Sequence, residues 1–170
     1  FKESNFRIGE VMALPKKIPT MMSNVDFSPK PVNTVWMDVA KEYCNTYLQS
    51  GMNAGSGTTT LPGISATLAG ELMDATAAVT PVGMLTAVRM AKAFNNTLMQ
   101  YLSLYQTTIV TAPGMPLLIN ELSEIMSAPT SNPVKMAQGI GKALDNFTAS
   151  AIVIGVIPGA PPVPFTGPIS

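Results

Sequence analysis

The side chains most used in catalysis and metal binding are scarce in this sequence. Its 170 residues include no histidine and a single cysteine, Cys44. Histidine is the commonest general base and metal ligand near neutral pH, so its absence excludes a Ser–His or Cys–His nucleophile pair and a zinc site of the usual type. Cys44 lies in a predicted apolar stripe, which indicates a buried small hydrophobic residue rather than a reactive thiol.

Carboxylates are the remaining groups that could act as acid and base or bind a divalent ion. Glu71 with Asp74, and Glu121 with Glu124, are spaced three apart on predicted helices and therefore share a helix face. Two carboxylates that converge in a pocket could do such chemistry. Each pair, however, lies on the polar side of an amphipathic stripe, which is typical of a solvated surface. We therefore predict no enzyme, no catalytic residue, no cofactor and no metal site.

A glycine-rich segment at residues 51–60 has the composition of a phosphate-binding loop. No lysine follows it in the P-loop pattern, and the chain contains no G-x-G-x-x-G. We interpret this segment as a linker between two helices, and we predict no small-molecule substrate.

Charge is sparse and balanced. Ten basic and ten acidic residues give a net charge of zero, and only 12% of residues are charged, against roughly a quarter in ordinary soluble domains. Neutrality argues against a nucleic-acid binder, which needs a basic surface. So little charge favours a subunit whose surface is covered by partner proteins. A compact protein with a surface rich in Thr, Asn and Ser is the alternative.

Apolar residues recur at helical spacing in successive segments between residues 33 and 157. Such stripes predict amphipathic helices that each bury one face, and the chain length suits one domain with one core. We therefore predict an all-α fold, an antiparallel bundle of about five helices. The helices are predicted to begin at Asn33 or Thr34, near Pro62, at Thr80, after a turn at residues 112–116, and at Pro133, and the last is predicted to fade near Gly155.

The large apolar side chains of these stripes are predicted to share one core: Trp36, Tyr43, Leu72, Leu98, Leu102, Leu122, Leu144 and Phe147. The third helix also carries a heptad seam with one polar member, made of Met84, Val88, Ala91, Asn95, Leu98, Leu102 and Tyr105. Such a seam could join helices of different chains, with the polar residue fixing the register. We favour its use inside this chain's own bundle.

Proline-rich segments flank the helical region. Residues 1–32 form a predicted extended arm, and residues 158–170 a tail too rich in proline for a helix or a central strand, which we interpret as polyproline-like. Both segments carry apolar residues, whereas free tails are usually polar. We predict that they bind neighbouring protein subunits through Phe6, Val11, Met12, Phe27, Val163, Phe165 and Ile169.

Membrane insertion is not predicted, because no segment approaches the roughly 20 consecutive apolar residues that a spanning helix needs. No signal-peptide pattern is recognisable in the sequence. It begins at Phe1 rather than Met, which leaves room for residues upstream.

Two patterns carry a resemblance to a known class of proteins. One is Trp36-x-x-x-Ala40-x-x-Tyr43 in the first helix, and the other is the run at 132–148, which leads into an apolar stretch and the Pro/Gly tail. Together, over about residues 33–170, they resemble small Ala-rich structural proteins of tailed bacteriophages and related contractile particles. This chain is richer in Met than those proteins, and its first 32 residues have no counterpart in the pattern.

The resemblance implies a structural subunit of a virion, in the tail, baseplate or neck, that is assembled in the host cytoplasm. It brings no catalytic residues with it. In this interpretation the helices form a rigid body, and the extended ends bind neighbours by strand addition or groove filling. The alternative is a soluble helical binding module or assembly factor that is not part of the final particle.

Overall fold

The computed structural model describes residues 32–48, 63–77, 83–102, 107–127, 133–157 and 159–168. Within these ranges the chain forms five helices and a small sheet of three strands. The helices are α1 at Val32–Lys41, which continues as a π-helical turn at Glu42–Tyr47, α2 at Ile64–Thr76, α3 at Gly83–Leu102, α4 at Met115–Ser127 and α5 at Pro133–Ala149. The strands are β1 at Thr107–Thr111, β2 at Ile152–Ile157 and β3 at Val163–Pro168. A mainly helical fold is therefore confirmed, whereas the sheet was not predicted.

One apolar core joins the helices. Residues at the predicted helical spacing are buried in every helix, and the core includes seven of the eight residues expected there: Trp36, Tyr43, Leu72, Leu98, Leu122, Leu144 and Phe147. The side chain of the eighth, Leu102, lies outside the described part of the chain. Aromatic contacts order the centre of this core, where the ring of Tyr43 meets that of Phe94 edge to face at a centroid distance of 5.3 Å.

The buried face of α3 differs from the predicted heptad seam. Met84 is 51% exposed, and Asn95 is only half-buried. Ala91 and Leu98 of the seam are buried as predicted, but the buried face also includes Ala87, Met90 and Phe94. The prediction was therefore wrong at Met84 and Asn95, because burying the ring of a phenylalanine removes far more apolar surface from water than burying an asparagine.

Helices α4 and α5 are antiparallel neighbours. The side chain of Asn146, near the end of α5, donates a hydrogen bond of 2.9 Å to Glu121 in α4, and Gly139, nearer the start of α5, lies against Ile125, nearer the end of α4. The start of α3 also packs on the end of α4, since a Cβ at Gly83 would collide with Ser127 Oγ.

The end of α5 corrects the prediction that this helix fades near Gly155. The helix ends at Ala149, and the hydroxyl of Ser150 donates a 2.6 Å hydrogen bond to the carbonyl of Phe147 while accepting one of 2.9 Å from the amide of Gly114. The Val- and Ile-rich residues beyond it form β2. β-Branched side chains fit a pleated strand better than a helix.

The three strands form one antiparallel sheet in the order β1-β2-β3. The segment 163–168 is extended, as predicted for the tail, but it is not polyproline-like, because it pairs residue by residue with β2 of its own chain. Among the described strands it is an edge strand, the position that a proline-containing strand requires. The predicted arm, residues 1–32, lies outside the described residues except for Val32, which begins α1.

No helix in the described ranges is long and apolar enough to cross a membrane.

Candidate functional site

The predicted partner-binding residues divide into two groups. Phe6, Val11, Met12, Phe27 and Ile169 lie outside the described residues. Val163 and Phe165 both belong to β3, where Val163 is 53% exposed and Phe165 is paired with Gly155 of β2. The structure therefore places two of the predicted residues on one strand and directs attention to the sheet that contains it.

Two prolines fix which way the backbone groups of β3 point. Pro164 pairs with Val156, and Pro168 pairs with Ile152. A proline has no N–H to donate, so neither pair can be one in which both residues exchange ladder hydrogen bonds. In an antiparallel ladder the two kinds of pair alternate. The pairs in which both residues exchange ladder hydrogen bonds are therefore the ones that Val163, Phe165 and Gly167 make with β2.

The outer edge of β3 is therefore poor in hydrogen-bond donors. Residues 164, 166 and 168 direct their backbone groups away from β2, and of these only Thr166 carries an N–H. A fourth strand added there would find one donor where an ordinary edge of this length offers three. Proline on an edge strand is one of the ways in which proteins prevent unwanted strand pairing.

The opposite edge, β1, has no prolines, although its register with β2 is irregular between Thr107 and Ile109. Its sequence, Thr107–Thr111, contains no proline, and Ile109 and Thr111 pair with Ile154 and Ile152 of β2. The backbone groups of successive residues point to opposite sides of β2. Those of Ile152 and Ile154 therefore point towards β1, so these two residues exchange hydrogen bonds with their partners in β1. The backbone groups of Val110 then point away from β2, and no described strand pairs with them. Among the described strands, the sheet thus has one edge poor in hydrogen-bond donors and one edge without prolines.

One face of the sheet is apolar and partly exposed. Ile152 is 39% and Val156 42% exposed, and Ile154 between them is half-buried. Their partners Pro164 and Thr166 on the same side are also exposed. We call these five residues the outer face. No residue of the three strands is charged, so burying the outer face against another protein would desolvate no charged group of the sheet.

No protein-family model, no curated protein and no solved structure matches this chain.

Fold class alone does not determine what a protein does. The exposed surface of the sheet is therefore taken as the candidate functional site. Sequence reasoning missed the outer face because β2 had been assigned to the end of a helix. The signal was present in the run Ile152–Ile157, which is β-branched except for one glycine and lies between Ser150-Ala151 and Pro158.

The first carboxylate pair lines an open cleft of about 350 Å³ between α2 and α3. Glu71 and Asp74 form one wall, and Arg89 and Lys92 lie on the other with Asn96. The carboxylates therefore share the cleft with two cations, above a floor that includes the buried Ala75 and Ala93. Asp74, Arg89 and Lys92 are exposed to solvent, as predicted for a wet helix face, whereas Glu71 is half-buried. Such mixed charge is typical of a hydrated surface.

The second carboxylate pair is separated by its surroundings. Glu124 is exposed, whereas Glu121 is half-buried between α4 and α5. One oxygen of Glu121 accepts the hydrogen bond from Asn146, and the other is buried without a hydrogen-bond partner. The interpretation of Glu121 as fully solvated is therefore wrong, because the α4–α5 packing covers it. In the described part of the chain, no three Cys, Asp or Glu side chains come together as metal ligands would.

The remaining polar groups of the core bind helices to one another. The hydroxyls of Tyr43 and Thr148 are joined by a hydrogen bond of 2.8 Å, and the indole N–H of Trp36 donates one of 3.0 Å to Thr76. Burial raises the pKa of Tyr43 well above its ordinary value, so its hydroxyl stays protonated. Cys44 is buried beside it as a free thiol, as predicted. These contacts are directed at other core residues and leave the sheet as the exposed candidate site.

Proposed function

We propose that the chain is a structural subunit of a phage virion, in the tail, baseplate or neck, which packs through its helical body and binds neighbouring subunits through the sheet. The observation that carries this proposal is the outer face: an uncharged and partly exposed apolar surface on a protein with no net charge. A monomer gains nothing from exposing Ile152 and Val156, whereas each would contribute to an interface at roughly 25 cal/mol per Å² of apolar area buried.

A rigid helical body suits this role. The buried aromatic residues and the interhelical hydrogen bonds of α1 and α5 fix the helices relative to one another, so that an interface on the sheet is held in one geometry. Rigid surfaces lose little conformational entropy on association. The predicted extended ends would add contacts with further subunits, and residues 1–32 would act as the arm on the neighbouring surface.

The alternative is a soluble assembly factor that leaves before the particle is complete. Mass spectrometry of purified, mature particles separates the two roles. A structural subunit is present there in a fixed ratio to the other subunits, and an assembly factor is found only in intermediates. Absence from mature particles would contradict the structural role.

A variant pair tests the part played by the outer face. Replacing Ile152 and Val156 by threonine keeps β-branched side chains in the strand but removes apolar surface, and we expect incorporation into particles to fall. The matched control is Leu85→Thr on α3, which alters an apolar residue that is 47% exposed and lies outside the sheet. Equal incorporation of the two variants would show that the outer face has no special role.

A further inference from the structure

We propose that β3 is exchanged between copies of the chain, so that Val163–Pro168 of one copy pairs with β2 of another in the register seen within the chain. This inference extends the proposed function, since it names the partner of the C-terminal strand as a second copy. It does not require the particle, however, and it can be tested on the purified protein.

Among the described residues, β3 is attached to its own chain mainly through one element. All six of its residues are paired with β2, from Val163 with Ile157 to Pro168 with Ile152. Within the described ranges, no helix packs against β3 to a comparable extent. A second copy offers the same edge of β2 with the same register, so the ladder hydrogen bonds that are lost on leaving one copy are regained on the other. Exchange of an identical element in this way is a low-cost route to association.

The prolines make β3 a strand with a single usable side. Only Val163, Phe165 and Gly167 can exchange ladder bonds, and all of them point the same way, towards β2. A released β3 therefore binds one acceptor at a time and must bind it in one orientation. The edge of β2 is the acceptor that matches this pattern, because residues 153, 155 and 157 direct their backbone groups towards β3.

The connection between the two strands would have to open for exchange, because the chain bends at residues 159–161 and Val163 pairs directly with Ile157. Residues 158–162 read Pro-Gly-Ala-Pro-Pro, and residues 159–162 are exposed. Proline fixes its own φ and disfavours a helical backbone in the residue before it, so an opened connection would be biased towards extended geometry. Fully extended, its five residues span up to about 17 Å.

Cysteine pairing across the ladder provides the test. Ile154 lies directly opposite Thr166 in a pair that does not exchange ladder bonds, and in such pairs the Cα atoms are about 4.5 Å apart, within the range that a disulfide tolerates. We would prepare the full chain as Ile154→Cys with one affinity tag and as Thr166→Cys with another. The two are mixed at equal concentration, incubated, and oxidised. Mixed dimer in excess of the background from random collision reports that β3 of one copy occupies β2 of another.

The matched control is Val156→Cys mixed with Thr166→Cys. Val156 lies on the same face but pairs with Pro164, so the two cysteines are one ladder step out of register. We expect the Ile154/Thr166 mixture to give several-fold more mixed dimer than this control. Cys44 is present in every sample and is buried, so it contributes equally to the background.

A chain carrying both Ile154→Cys and Thr166→Cys completes the design. Exchange predicts interchain disulfides within this variant when it is oxidised at high protein concentration. If the in-register mixture gives no more mixed dimer than the control, and the double variant forms only an intrachain disulfide, β3 stays on its own chain and the proposal is wrong. If β3 is exchanged in the purified protein but the protein is absent from mature particles, the exchange is supported and the structural role is refuted.

Discussion

The hydroxyl of Tyr47 donates a hydrogen bond of 2.9 Å to Oδ1 of Asp145, a residue 98 positions further along the chain. One helical turn earlier in α1, Tyr43 makes its hydrogen bond to Thr148. The two tyrosine rings stack on each other with centroids 5.9 Å apart. Helix α1 is therefore fastened to the last turns of α5 by two buried hydroxyls, next to the point at which the chain enters β2.

Removing the Tyr47 hydroxyl should destabilise the fold. In Tyr47→Phe the ring still fills its place in the core, but the half-buried carboxylate of Asp145 loses a donor. Hydrogen bonds to charged groups contribute about 1.5–3 kcal/mol, and we expect a loss of that order in the free energy of unfolding from urea titration. Tyr43→Phe, whose partner is a neutral hydroxyl, is the comparison and should lose less. An unchanged midpoint for Tyr47→Phe would show that the bond is not formed in solution.

Glu42 should make stability depend on pH in the acidic range. Burial, and then the negative charge of Asp38, raise the pKa of Glu42 above its ordinary value of 4.5, and one of its oxygens is buried without a partner. The folded state therefore holds this proton more tightly than the unfolded state. The contribution of Glu42 is most favourable below pH 4.5 and is lost as the pH rises through the folded pKa.

The variant Glu42→Gln isolates this effect. It should be more stable than the unaltered chain at pH 7, and the difference should shrink as the pH falls below 4.5, where the glutamate is itself neutral. Thermal unfolding over a pH series measures it. Asp38→Asn, which removes the second cause of the shift, should change stability in the same direction and by less. If the difference in melting temperature between Glu42→Gln and the unaltered chain does not change with pH, the raised pKa of Glu42 is contradicted.

Cys44 should be chemically silent in the folded protein. Burial raises the pKa of its thiol from 9.0 to about 12, which lowers the thiolate fraction at pH 8 by roughly a thousandfold. We expect iodoacetamide to label Cys44 in urea but not under native conditions. The exposed cysteine of the Thr166→Cys variant supplies an internal standard of a reactive thiol. Labelling of both positions at similar rates would mean that α1 opens readily.

The core of α3 can be tested with two leucines on one helix. Leu98 is fully buried, and Leu85 is 47% exposed. Leu98→Ala should lower the free energy of unfolding by about 2–5 kcal/mol, because it leaves a cavity. Leu85→Ala should change it by no more than about 0.5 kcal/mol. Equal melting temperatures for the two variants would refute the assignment of the buried face.

The sequence predicted the helices well because their signal is local. The stripe of α1, from Trp36 to Leu48, repeats at helical spacing and is buried as expected, and α5 begins at its predicted proline, Pro133. The strands were missed for the opposite reason. A short apolar run such as Ile152–Ile157 fits a helix end or a strand equally well, and its partner strand β1 lies some 40 residues earlier in the chain.

The candidate site was predicted only in part for the same reason. Val163 and Phe165 were singled out because apolar residues are unusual in a proline-rich tail, and both lie on β3. Ile152 and Val156 were not predicted as site residues. Their exposure follows from the pairing of β2 with β1 and β3, which no local sequence pattern reveals. The two prolines of β3 predicted that this segment is not a central strand. That both lack an N–H on the same side of β3 can be recognised only once the register with β2 is known.

Pro164 and Pro168 also bear on the colloidal behaviour of the protein. Proteins commonly keep edge strands from stacking into fibrils by placing lysines on them, but this sheet contains no charge at all. Without the two imino acids, the C-terminal strand would be a six-residue uncharged segment able to pair on both sides, which is the composition of a cross-β spine. Resistance to strand stacking at this edge of the sheet would then depend on two imino acids, of which Pro164 is exposed to solvent.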